Sequence, residues 1–217
     1  QAEISAKKIR FNKMDATYSL YRNNQKYGDV TVHVPGKHNV LNSLAAAAIG
    51  FEMGIDAKTI INGISSYGGV RRRFELKGVA RDIMVVDDYA HHPTEVSATL
   101  QAARDGWDRR IVAVFQPHLF SRTQSFYKEF AAAFMDSDVL IVTDIYPARE
   151  KPIKGVTGEL VFDAARSMGH KHAHYIPNLD DLEDGLDEIV NENDMVITIG
   201  AGTIWRYGQS YFNLSLI

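Results

Sequence analysis

The hydrophobic positions of this chain fall into two regimes that meet near residue 72. In the first, Val30, Val32 and Val34 alternate with Thr31 and His33, the period-two signature of a half-buried strand, and residues 1–35 read as extended throughout. Asn23-Asn24 within SLYRNNQKYG predicts a hairpin turn. The alanine-rich run GKHNVLNSLAAAAIGFEMG, closed by Gly54, predicts a helix of about four turns. DAKTIINGISSYGG predicts a second, shorter helix with Asp56 as its N-cap. Gly68-Gly69 then breaks the pattern and VRRRFE opens a different organisation, which places a domain boundary between residues 1–71 and 72–217.

Beyond that boundary a single theme repeats. Apolar, β-rich runs (IMVVDD, RIVAVF, DVLIVT, HAHYI, MVITIG) alternate with amphipathic helical stretches. Continuous apolar strands alternating with helices predict an α/β fold, a mostly parallel sheet covered on both faces. Right-handed crossovers make it doubly wound. Phe126, Phe130 and Phe134 recur at i, i+4 and i+8, one helical face, and are read as a core stripe.

Ligands of open parallel sheets bind beyond the carboxyl ends of the strands. Four of the five apolar runs end in segments unusual for connecting loops: DDYAHHP, QPHLFSRT, DIYPARE and GAGTIW. The fold would bring Asp87, Asp88, Tyr89, His91, His118, Arg122, Asp144, Tyr146, Arg149, Glu150 and the Gly200/Gly202 pair to one edge. Three readings suit DDYAHH: divalent-metal ligands, a helix start with Pro93 at the first position and His92 as cap, or Asp88 holding a ribose. Arg122, near a predicted helix start and beside His118, suits a carboxylate or phosphate. Asn39 and Asn42 lie on one helical face; either is a sensible N-cap, and together they offer amide donors and acceptors to an adenine edge. GAGTIW follows the last strand and lacks a third glycine, so it is read as a tight strand-to-helix turn. No G-x-x-x-x-G-K-[ST] run occurs anywhere.

Composition narrows the partners. A net charge of −3 with pI near 6.3, without a long run of either sign, leaves no electrostatic footprint for nucleic acid or an anionic membrane. No apolar run approaches the roughly 18 residues of a membrane span. The chain has no cysteine, which rules out disulfides and thiolate metal sites and suits a cytoplasmic location. QAEISAKKIRF has no apolar signal-peptide core and starts as if partway through a sheet, so it is expected to belong to a longer polypeptide.

Taken in order, GxHNVLN, GVRRRF, DDYAHHPTEV, FQPHLFSRT, DIYPARE and GAGTI resemble the back half of the Mur ligases of peptidoglycan synthesis, over about residues 30–205. The resemblance implies that residues 1–71 are the last part of a central ATPase domain and 72–217 a C-terminal Rossmann-like domain. It implies an ATP-dependent ligase that activates the carboxylate of UDP-N-acetylmuramate as an acyl phosphate, which the amine of L-alanine attacks. Asn39, Asn42, Arg73 and Asp88 would serve ATP. Tyr89, His91, His118 and Arg122 would form the pocket for alanine and the reacting carboxylate, and His91 or His118 would take the amine's proton. The Mg2+ ligands and the phosphate loop would lie upstream, leaving no metal site here and an inactive chain. A relative that recycles murein tripeptide shares DDxxHHP but not FQPHxxSRT, which favours the alanine reading. Family members often carry arginine where this chain has Leu119, so amino-acid binding would rest more heavily on Arg122. The alternatives are a standalone nucleotide- or metal-binding module, and a metal-dependent hydrolase using Asp87, Asp88, His91 and His92.

Overall fold

The computed structural model describes residues 2–211. It divides into two compact units, Gln1–Val70 with Gln101–Asp108, and Arg71–Leu100 with Arg109–Ile217.

The first unit holds a three-stranded antiparallel sheet of β1 (Ile4–Asn12), β2 (Asp15–Arg22) and β3 (Gln25–Val32), followed by α1 (Lys37–Glu52) and α2 (Ala57–Ser65). Asn23 and Asn24 turn β2 into β3, both at positive φ (48° and 66°), as expected of the turn that matches strand twist. Alternation then decides the core: Ala16, Tyr18 and Leu20 of β2 meet Val30 and Val32 of β3 and Val40, Ala47 and Ile60 of the helices. Asp56 caps α2 as the sequence predicts, accepting from Thr59 N at 3.0 Å. At α1 the expectation of an asparagine cap fails. Gly36 is the N-cap, at φ 94°, and Asn39 sits inside the first turn, its amide donating to Pro35 O at 2.7 Å.

The second unit is a six-stranded sheet in the order β4-β5-β9-β6-β7-β8. Its strands are β4 (Glu75–Ala80), β5 (Ile83–Asp88), β6 (Arg110–Phe115), β7 (Val139–Val142), β8 (Ala173–Tyr175) and β9 (Asp194–Ile199). Five run parallel, and β4 alone pairs antiparallel, with β5. The five parallel strands are those the apolar runs predict. The polar edge strand β4, joined to β5 through Arg81 and Asp82 at positive φ, is not.

Helices α3 (Pro93–Gly106), α4 (Phe120–Ala133), α5 (Glu159–Ser167), α6 (Leu182–Ile189) and α7 (Ile204–Tyr211) complete the doubly wound α/β fold. No described helix is long and apolar enough to cross a membrane. On one sheet face Val85, Val112, Val114, Val139 and Val196 pack with Leu182, Leu186 and Ile204. The alternate residue Phe115 points the other way, its ring 5.0 Å from Phe130 and 4.8 Å from Phe134. The predicted phenylalanine stripe is therefore core only in part. Phe126 leaves it to lie 5.2 Å from the His92 ring, because one more turn of α4 carries it past the sheet to the strand ends.

Phe134 is completely buried against Phe115. Phe134→Ala is expected to lower unfolding free energy by about 3–5 kcal/mol, whereas Asp56→Ala, which removes an exposed cap, is expected to cost clearly less. Urea titration of the two variants reads the difference, and equal losses would show that the cap, not the aromatic contact, is undervalued.

Candidate active site

The parallel strands end along one edge of the second unit, and the side chains there are fastened to one another. β5 closes with two buried carboxylates, Asp87 at 1% exposure and Asp88 at 5%. A buried carboxylate needs its lone pairs filled. Asp87 accepts from Arg72 Nε at 3.0 Å and from Thr198 Oγ1 at 2.8 Å. Asp88 accepts backbone N–H groups on both oxygens, from Phe74 and Ala90, each at 2.8 Å. Burial pushes both acids up, and in each case these partners pull the other way. The oxygens expected to meet a ribose or a metal thus already serve the protein. Asp88 fastens residues 72–74 to β5, and among the described residues no cluster of acids and histidines has metal-ligand geometry.

Arg72, which GVRRRF does not distinguish from its neighbour Arg73, joins three segments. Besides Asp87 it donates from Nη2 to Gly200 O at 2.7 Å, and its guanidinium lies 4.9 Å from the Tyr89 ring. Its backbone carbonyl accepts Tyr89 N at 2.7 Å. Arg72 sits at φ 59°, so Arg73 is directed elsewhere; the Arg73 side chain is about half exposed and reaches Glu95 at 3.5 Å.

After Tyr89 come the two histidines. Pro93 opens α3, and His92 acts as the predicted cap, its Nδ1 accepting from Thr94 N at 3.4 Å. Glu95 returns the contact, accepting the N–H of His91 at 2.9 Å and of His92 at 3.2 Å, the reciprocal half of a capping box. For Glu95 burial acts upward, but these N–H groups, His91 and Arg73 hold the carboxyl below its ordinary range. His91 packs edge-on against Tyr89 at 5.3 Å and stands 6.2 Å from the ring of His118.

The loop after β6 supplies Gln116, His118 and Arg122. Arg122 Nη1 lies 3.3 Å from His118 Nδ1, and the His118 ring stacks on Tyr146 at 5.8 Å. Burial first, and the Arg122 charge second, lower the His118 pKa and favour a neutral ring. Leu119 caps α4 at φ 73°, a backbone strain of the kind that concentrates at functional sites. From β7, Asp144 accepts Ile145 N and Gly158 N, while Glu150 accepts Ser121 N at 3.0 Å and so clips its loop to the start of α4. Arg149 is exposed. GAGTIW is the predicted tight turn. Gln116 Oε1 accepts Thr203 N at 2.8 Å, and a Cβ on Gly202 would come within 2.2 Å of that oxygen.

The other expected residues lie in the first unit. Asn39 and Asn42 line a pocket of about 370 Å³ with Val34, Ala46, Ile64 and Tyr67. Asn42 Nδ2 donates to Asn39 Oδ1 at 3.4 Å. Apolar walls with an amide edge suit a flat heteroaromatic ring.

Residues 72–202 match the family described as Mur ligase, glutamate ligase domain. The chain is 47% identical over 215 residues to the UDP-N-acetylmuramate–L-alanine ligase of Salinibacter ruber, covering 99% of this chain and 45% of that protein. It is 48% identical over 209 residues to the same-named protein of Syntrophus aciditrophicus, covering 96% and 44%. Among solved structures, the UDP-N-acetylmuramate–alanine ligase of Thermotoga maritima superimposes with a TM-score of 0.81 at 28% identity, over 98% of this chain and 46% of that one. The chain therefore spans a little under half the length of the relatives it matches.

His118 is expected to titrate below the ordinary histidine value of about 6.5. Folding then weakens proton binding, so this group's contribution to stability is complete above about pH 6.5 and is lost as the pH falls through the folded pKa. Because Arg122 is the lesser cause, Arg122→Ala should return the NMR midpoint only part of the way. An unsubstituted midpoint at or above the ordinary value would contradict the assignment.

Proposed function

This chain belongs to the Mur ligase family, and on that premise we propose that it forms part of an ATP-dependent ligase joining L-alanine to UDP-N-acetylmuramate. In this reading residues 1–71 are the last part of the central ATP-binding domain and 72–217 the C-terminal Rossmann-like domain. The observation that carries it is the meeting of His91, His118, Arg122 and Tyr146 at the strand ends, in a chain 47% identical to a protein of that name.

The chemistry explains the residue types. A carboxylate is a poor electrophile, and phosphorylation by ATP gives it a leaving group. The site must then keep water from the acyl phosphate and present an uncharged amine to it. Arg122 supplies the charge and fork geometry to hold a carboxylate. Tyr89 and Tyr146 wall the histidines. Asn39 and Asn42 serve the adenine in the pocket of the first unit, and Arg73, half exposed, serves the phosphates. Asp88 fixes Phe74 and Ala90 through one backbone bond on each oxygen, which leaves lone pairs for the ribose of ATP. Magnesium, which ATP chemistry of this kind employs, does not fit the engaged Asp87 and Asp88, so its ligands belong to the remainder of the protein. FQPHLFSRT favours this substrate over murein tripeptide.

Two outcomes follow. In the full-length protein Arg122→Ala is expected to raise KM for alanine by about tenfold or more, with KM for ATP little altered; equal effects on both would remove Arg122 from the acceptor pocket. The 217-residue chain alone, without a G-x-x-x-x-G-K-[ST] loop, is expected to show no alanine-dependent phosphate release, while the full-length protein with UDP-N-acetylmuramate does. Steady turnover by the chain alone would refute that division of labour.

A further inference from the structure

His91 and His118 are each gripped at Nδ1 by a partner that can play only one part. His91 Nδ1 lies 3.0 Å from Tyr89 O and 3.4 Å from Glu95 Oε2. A carbonyl and a carboxylate accept and cannot donate, so this nitrogen carries the proton. His118 Nδ1 lies 3.3 Å from Arg122 Nη1. A guanidinium donates and cannot accept, so here Nδ1 is the bare lone pair. A neutral imidazole holds one proton. The two rings, 6.2 Å apart, are therefore opposite tautomers. His91 keeps Nε2 as an acceptor, and His118 keeps Nε2–H as a donor. Among the described residues neither Nε2 has a protein partner.

Resting on the ligase reading above, we propose that the two histidines have distinct roles: His91 accepts the proton of the incoming amine, and His118 donates a hydrogen bond that holds the same amino acid's carboxylate beside Arg122. An α-amino acid carries a donor and an acceptor on one carbon, the complement of this pair. In the step itself the uncharged amine nitrogen forms the C–N bond to the acyl carbon. One of its protons passes to His91 Nε2, and the C–O bond to phosphate breaks, the oxygen leaving with the electron pair as inorganic phosphate. His118 is poorly suited to take that proton. Its free nitrogen already bears hydrogen, its lone pair faces Arg122, and burial lowers its proton affinity further. His91 is differently placed: Glu95 at 3.4 Å stabilises the imidazolium that would form.

The arrangement also gives the acceptor a direction, amine towards α3 and carboxylate towards α4. Arg72 acts at one remove. Its carbonyl and guanidinium hold Tyr89, whose own carbonyl fixes the His91 tautomer.

Nitrogen-15 NMR of the histidines in the unmodified chain, above the titration of both rings, reads the tautomers without any substitution. The expected result is Nδ1–H at His91 and Nε2–H at His118; the same tautomer at both, or the reverse, would overturn the inference. In the full-length protein, His91→Gln should lower kcat by about 100-fold and abolish the acidic limb of the pH–rate profile. His118→Ala should act mainly on KM for alanine, by about tenfold. The exchanged pattern would overturn the roles while leaving the tautomers intact. If the unsubstituted full-length protein releases no phosphate in response to alanine, the ligase reading fails, and the NMR result stands by itself.

Discussion

Adjacent carboxylates buried at the end of one strand set the terms for everything around them. Asp87 and Asp88 are almost wholly removed from water, where an unpaired charge would cost several kcal/mol. The chain resolves this with different partners for each. Asp87 takes the Arg72 guanidinium and the Thr198 hydroxyl, while Asp88 takes two backbone amides. The first solution ties β5 to β9 and to Arg72, and the second ties β5 to Phe74, in the same segment before β4. Alternation of side chains along β5 sends the two acids to opposite faces, so the strand end is secured from both. Tyr89 and the histidines beyond it then start from a fixed point.

The polar cluster built on that base depends on contrasts in burial and charge rather than on any single strong contact. Arg122 and His118 are cation and neutral ring at 3.3 Å, an arrangement that would be repulsive if the imidazole were charged. Burial and the guanidinium both act against that charge. At His91 the facing group is instead the Glu95 carboxylate, 3.4 Å from Nδ1. Two side chains of one type thereby acquire opposed hydrogen-bonding faces, and the difference comes entirely from what grips Nδ1. The neighbours of these residues decide what each can do.

Much of this was legible in the sequence because it rests on local rules. Apolar runs of strand length alternating with amphipathic stretches determine an α/β fold whatever the strand order. Asn23-Asn24, Asp56, Pro93 and the GAGTIW turn act within a few residues of themselves. The clusters DDYAHH, QPHLFSR and DIYPARE could be assigned to one rim because parallel strands with right-handed crossovers leave their carboxyl ends on the same side. The family resemblance rests on those same segments.

Tertiary structure decided the rest, because the deciding contacts are long-range. The last strand, β9, inserts between β5 and β6, which brings Gly200 to Arg72 across 128 positions of sequence and Gln116 to Thr203. No local pattern announces that insertion, so Arg72 could not be told from Arg73. Glu95, which nothing in its local sequence singles out, holds two backbone amides and faces His91. Asp88 read as an open ligand, but each of its oxygens also accepts a backbone N–H, from Phe74 and from Ala90. The edge strand β4 escaped notice because a half-exposed strand with a polar turn lacks the apolar run that marks the others. A sequence lists which groups are available, whereas burial, pairing and the proton on each imidazole depend on neighbours that only the folded chain brings together.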